Sequence, residues 1–224
     1  MTTSTTTEHD RDLRIAVEDE LHWTPEIDAA EVAVSVEDGL VTLSGHVPTY
    51  AQKIAAGRAA ARTRLVSDVD NDLRVHYRDE TPTDADIASA ARAAIEAQAA
   101  VPPGAITVEV DDGYVGLTGE VMWNFQRVAA VKAVGQVDGV HGVDSRITLS
   151  PRLDADASET TALIRSAIRR QAILDAATIH VHASGDQVQL TGTVSSWAEK
   201  HQAELAAWSS PHVNHVANGI VVRA

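Results

Sequence analysis

Val115-Gly116-Leu117-Thr118-Gly119-Glu120-Val121 is a pattern that the chain writes three times. Val41-Thr42-Leu43-Ser44-Gly45-His46-Val47 comes before it, and Val188-Gln189-Leu190-Thr191-Gly192-Thr193-Val194 after it. The shared glycines lie 74 and then 73 positions apart. Spacing that regular, with the alternation kept, is the mark of tandem copies of one unit. Apolar residues at every second position predict a half-buried strand. A hairpin turn signal stands before each copy: Asp38-Gly39, Asp112-Gly113 and the reversed Gly185-Asp186. The shared glycine falls on the inward parity, where glycine marks a bulge or the close approach of another backbone. The expected neighbour is the helix that follows.

Working outward, each copy carries the same flanking elements. Leu13, Val17 and Leu21 form one stripe of a helix, with Asp10 and Asp12 suited to its N-terminal end. Val32, Val34 and Val36 alternate as a strand that pairs with the first copy of the pattern. Thr49-Tyr50-Ala51-Gln52 reads as a capping box opening a second, alanine-rich helix. Val69, Leu73 and Val75 trace a last strand. The second unit repeats this with Ile87, Ala91 and Ile95, then Ile106, Val108 and Val110, a helix over Val128 to Val134, and Val143, Ile147 and Leu149. The third has Ile164 and Ile168, then Ile179 and Val181, a capping box at Ser196-Trp197-Ala198-Glu199, and Val216, Ile220 and Val222. The expected fold class is α+β: three tandem α-β-β-α-β units, each with two helices on one face of a three-stranded mixed sheet. The expected boundaries are a disordered tail at 1–7 and units at 8–78, 82–149 and 155–224. Asp79-Glu80-Thr81-Pro82-Thr83 and Ser150-Pro151-Arg152-Leu153-Asp154 are the linkers. Both are short and contain proline, which restricts the orientations of the units.

Composition excludes several functions. The net charge is −14, and residues 1–80 hold sixteen acidic against eight basic side chains. The excess falls along the chain, and residues 150–224 hold seven against six. An acidic chain with no basic cluster does not suit nucleic acid, whose phosphates require Lys and Arg. The absence of cysteine removes disulfides, thiolate metal sites and a cysteine nucleophile. The N-terminal residues have no basic and apolar regions of a secretory signal. No apolar run approaches the ~20 residues of a membrane span. With Met1 as the natural start the expected compartment is the cytoplasm; with a leader removed it is the periplasm.

The aromatic residues are the most informative side chains. There are four Trp, three Tyr and one Phe. The repeats align Trp123 with Thr49 and Ser196, which are helix N-cap positions. Phe125 aligns with Ala51 and Ala198, and Tyr50 and Trp197 with Asn124. The core is therefore aliphatic, and aromatics gather at the turn into the second helix. Tryptophan in place of a capping residue costs about 1 kcal/mol, with Asn124 as the expected substitute cap. Met122, Trp123 and Phe125, with Tyr50 and Trp197 in the equivalent turns, are the candidate contact residues for a lipid surface or another protein. The competing assignment packs them between units or chains.

Five histidines crowd the third unit: His180, His182, His201, His212 and His215. His180 and His182 share a strand face but align with Thr107 and Glu109, which marks a solvated outer face. No third ligand is fixed by spacing, so no metal is expected. The carboxylates are many but scattered, with acid pairs such as Glu37-Asp38 and Asp111-Asp112 in hairpin turns, and neither a phosphate-binding glycine loop nor a nucleophile elbow is present. No catalytic residue and no cofactor is expected.

The helix, the acidic-glycine turn into the repeated strand, the second helix and the closing strand together resemble the BON domain of the osmotically inducible protein Y family. The closing pattern is Val66-Val69-Leu73-Val75, Val140-Val143-Ile147-Leu149 and Val213-Val216-Ile220-Val222. The resemblance spans nearly the whole chain. It implies a non-enzymatic binding protein of stress or envelope physiology, contacting phospholipid surfaces or, in a chaperone-like way, protein clients. The alternative is a structural or oligomerising module, including a homo-oligomer.

Overall fold

The computed structural model describes residues 3–76, 82–150, 157–170, 178–210 and 213–223. Most of both linkers (Asp79 to Thr81 and Pro151 to Asp154) lies outside the described residues, as does His212. Repeat 1 comprises α1 (Thr3–Trp23), a 3-10 turn (Ala29–Glu31), β1 (Val32–Glu37), β2 (Leu40–Val47), α2 (Tyr50–Arg62), β3 (Asp68–Asn71) and β4 (Arg74–Val75). Repeat 2 comprises α3 (Asp84–Glu96), β5 (Ile106–Asp111), β6 (Tyr114–Val121), α4 (Asn124–Val134) and β7 (Gly142–Leu149). Repeat 3 comprises α5 (Ala157–Arg170), β8 (Ile179–Ser184), β9 (Gln187–Val194), α6 (Trp197–Trp208) and β10 (His215–Val222). The first helix begins at Thr3, within the stretch expected as a tail. Repeats 1 and 2 form one compact unit, and repeat 3 dominates a second.

The repeated strand is the centre of every sheet. On one side β2, β6 and β9 pair antiparallel with their hairpin partners β1, β5 and β8. On the other side the last strand runs parallel to them. In repeat 1 that last strand comes as two short segments, β3 and β4, with Leu73 between them buried in the core as Ile147 and Ile220 are in the continuous strands of the other repeats. Leu43, Leu117 and Leu190 are fully buried, with the helix stripes Leu13/Val17/Leu21, Ile87/Ala91/Ile95 and Ile164/Ile168 packed above them. Small alanines on the second helices, such as Ala59, Ala130 and Ala206, complete each core and let the helix approach the sheet closely.

The repeated glycine has a different neighbour from the expected one. Gly45, Gly119 and Gly192 have φ of 109°, 144° and 131°, a region that side chains rarely adopt. A Cβ there would run into the carbonyl oxygen of Glu31, Ala105 or Thr178, the residue just before the first strand of the same hairpin. The following amides of Glu120 and Thr193 donate to the Ala105 and Thr178 carbonyls at 3.3 Å. The glycine thus admits the close approach of its hairpin partner's backbone where the pairing ends, and the atoms nearest to it belong to that partner and not to the following helix.

Polar contacts lock the hairpin turns to the first helices. The Asp10 carboxylate accepts from the Asp38 and Gly39 amides at 3.2 and 3.3 Å. Asp84 accepts from Asp112 and Gly113 at 3.0 and 2.9 Å. Asp10 lies well inside α1, so it serves the turn rather than the helix start. The capping box expected at Thr49 is half formed. The Thr49 hydroxyl accepts from the Gln52 amide, while the Gln52 side chain reaches away to accept from the Asp28 amide at 2.9 Å.

Candidate functional site

The turn from β6 into α4 is built around a missing cap. Trp123 occupies the N-cap position with extended backbone (φ −134°, ψ 143°), and its indole has no acceptor to offer. Asn124 does not replace it; its Oδ1 accepts from Arg127 at 2.7 Å. Gln126 supplies the reciprocal half of a capping box from inside the helix. Its Oε1 accepts from the Met122 and Trp123 amides at 3.0 and 2.9 Å, and its Nε2 donates to the Ala100 carbonyl at 2.8 Å. With the Met122 and Trp123 amides satisfied by a buried glutamine, the neighbouring side chains are left for the surface. Burial lowers the Arg127 guanidinium below its ordinary range.

Met122 is 51% exposed and Phe125 57%. The half-buried Trp123 stacks on Phe125, with ring centroids 6.3 Å apart and planes at 27°. Val128, one turn beyond Phe125 and 50% exposed, extends the patch. Val128 opens the stretch expected as the second helix of this unit. Its position aligns with Ile54 and His201, so the repeats by themselves give it no fixed side. The result is a contiguous apolar stripe of Met122, Trp123, Phe125 and Val128.

The equivalent turns differ. Tyr50 is half-buried as the first residue of α2, and its ring lies beside Gly135 at the end of α4, where a Cβ would sit 3.4 Å from it. Tyr50 also lines a groove of about 720 Å³ between repeat 1 and the outer face of the repeat 2 sheet. Trp197 is half-buried beside its Ser196 cap, and the Lys200 ammonium lies 5.7 Å from its ring centroid. The turns therefore share a position and a capping chemistry, but only the repeat 2 turn projects a broad apolar face among the described residues.

His180 and His182 stand exposed on the outer face of β8, opposite Thr191 and Gln189. Among the described residues, no group of three or more His, Asp or Glu is placed to hold a metal. No described helix is long and apolar enough to cross a membrane.

With this geometry in place, the comparisons give the family. The BON domain model matches the sequence three times, over residues 9–77, 83–151 and 156–224. Among solved structures, CdsD, a structural protein of the type III secretion system of Chlamydia trachomatis, is 14% identical, with a TM-score of 0.27, over 95% of this chain and 92% of that one. The C-terminal domain of CdsD matches at the same identity and TM-score, over 95% of this chain and 98% of its own. No curated protein matches the sequence.

Proposed function

The chain belongs to the BON-domain family through all three of its repeats, and on that premise we propose that it is a non-enzymatic protein that contacts phospholipid surfaces through the repeat 2 turn. BON domains are associated with stress and envelope proteins and with lipid binding. The observation that carries the reading is the stripe of Met122, Trp123, Phe125 and Val128, exposed although its backbone is already satisfied by Gln126. Aromatic and aliphatic side chains on the first turn of a helix suit shallow insertion at a lipid interface. The net charge of −14 opposes approach to an anionic membrane, so the affinity comes from apolar insertion. Charge repulsion is screened beyond about 8 Å at physiological ionic strength, so binding holds or strengthens as salt rises.

The test is co-sedimentation of wild type and a Trp123→Ala, Phe125→Ala double variant with vesicles at low and moderate salt. Circular dichroism serves as the folding control. The expected result is loss of most vesicle binding by a folded variant. A folded variant that binds like wild type removes this turn from the reading. A second reading, a structural or oligomerising module, draws on Tyr50, whose ring is used between two repeats. A change of oligomeric state in the double variant, with no vesicle binding by either protein, would favour it.

A further inference from the structure

We propose that the groove between repeats 1 and 2 is a binding site for a small zwitterion carrying an ammonium group at one end and a carboxylate or phosphate at the other. The floor of this groove is the outer face of the repeat 2 sheet, and its register sets out the chemistry. One row runs Asp111, Tyr114, Gly142 and the next runs Glu109, Gly116, Asp144. Arg146 follows on β7, and its Nε is held by Asp144 at 3.0 Å. The other wall comes from repeat 1 and includes Tyr50, Lys53 and Asn71.

Gly116 is the residue that makes this a site rather than a flat face. Its backbone does not need glycine, since its φ is not among the positive values. Its packing does not need glycine either. A Cβ would meet nothing closer than the Arg146 guanidinium at 3.7 Å, which is ordinary contact. Repeats 1 and 3 carry Thr42 and Gln189 at this position. A strand-interior glycine with neither a backbone nor a packing reason leaves bare floor where a ligand can approach. Gly142 is different: a Cβ there would lie 2.9 Å from the Tyr114 ring, so it seats that ring over the strand.

The charges around the bare floor are of both signs. Glu109 and Asp111 lie on the β5 edge; on the β7 edge Asp144 faces Gly116 and the Arg146 guanidinium, paired with Asp144, reaches back to within ordinary contact of Gly116, with Lys53 lining the repeat 1 side. An ammonium is drawn to carboxylates and to aromatic faces, here Glu109, Asp111 and the rings of Tyr114 and Tyr50. A carboxylate or phosphate is drawn to Lys53 and Arg146. Adjacent strands are about 4.8 Å apart, so the β5 and β7 edges lie about 10 Å apart across β6, and side chains leaning in from both edges frame a small ligand between them. A volume of about 720 Å³ lies within the usual range for small-molecule sites. The aligned positions elsewhere cannot repeat this set: Tyr114 corresponds to Leu40 and Gln187, and Glu109 to Ser35 and His182.

The test is calorimetric titration of the full chain with glycine betaine and phosphocholine, beside choline and acetate as single-charge controls. At least one zwitterion should bind saturably at millimolar concentration. The controls should bind at least about tenfold more weakly, since each satisfies one end of the groove. Gly116→Gln, which installs the repeat 3 side chain, should melt like wild type and lose binding at least tenfold. Tyr114→Leu, which installs the repeat 1 side chain, provides a second folded variant with the same expected loss. Betaine without phosphocholine would identify a free solute, and phosphocholine with binding to phosphatidylcholine vesicles that Gly116→Gln weakens and the Trp123→Ala, Phe125→Ala variant retains would identify a lipid headgroup; both results support the shared chemistry. Saturable binding of neither zwitterion overturns the proposal, as does choline binding as well as betaine, or a folded Gly116→Gln variant that binds like wild type. The ligands are soluble, so this result is independent of the membrane contact at Trp123.

Discussion

Repeats 2 and 3 have one sheet register and two ways of securing it. Ile106 faces Gly119 in one, and Ile179 faces Gly192 in the other, with the same carbonyl lodged against the glycine. In repeat 2 the hairpin turn is tied back to the first helix through Asp84. Repeat 3 has Ala157 at that position and has reversed its turn to Gly185-Asp186. The carboxylate now sits on the turn and accepts from the Asn214 side chain at 3.2 Å, which also donates to the Ser150 carbonyl at 3.2 Å. The turn is thus anchored to the start of the last strand, as the repeat 2 turn also is through His141, whose amide donates to the Gly113 carbonyl at 2.9 Å. The helix stripe differs as well. Where repeat 2 buries Ile87, repeat 3 buries Thr160, whose hydroxyl is fully enclosed without a hydrogen-bond partner. The lesson is that the strand and its positive-φ glycine specify the fold. The polar fastenings around them are interchangeable, because each needs only to satisfy two turn amides or a strand end.

The comparison can be broken most forcefully at the shared leucine. Leu117→Ala and Leu190→Ala should each cost about 2–5 kcal/mol, the usual range for a fully buried leucine. Hydrogen exchange should then show loss of protection across repeats 1 and 2 for Leu117→Ala, and in repeat 3 for Leu190→Ala, following the two compact units. Equal loss over the whole chain from either change would dissolve that division.

Asp84→Ala probes the helix clamp. It should lower the stability of repeat 2 by about 1–2 kcal/mol, the scale of a lost helix cap. Chemical denaturation is the measurement, and an unchanged midpoint would show the clamp to be ornamental.

The smallest effect is a gain. Thr160→Val keeps the shape and removes a buried hydroxyl with no partner, so repeat 3 should gain about 1 kcal/mol. A fall in its melting midpoint would mean that the hydroxyl has a use the fold does not reveal.

Much of this protein is written locally. The period of two in Val115, Leu117 and Val121 announces a strand with one buried face. The spacing of Leu13, Val17 and Leu21 announces a helix stripe, and repetition of both gives three α-β-β-α-β units. These are legible because side-chain direction follows from chain geometry a few residues at a time. The aliphatic core and the aromatics displaced to the turns were legible for the same reason. What tertiary structure alone decided are the contacts between residues distant along the chain. The carbonyl of Ala105 against Gly119, the Asp84 clamp on Gly113, the Gln126 bond to Ala100 and the seating of Tyr50 beside Gly135 all belong to this class. No local period encodes them, because a hydrogen bond or a steric contact depends on separation in space, and that separation exists only once the sheets and helices have been assembled.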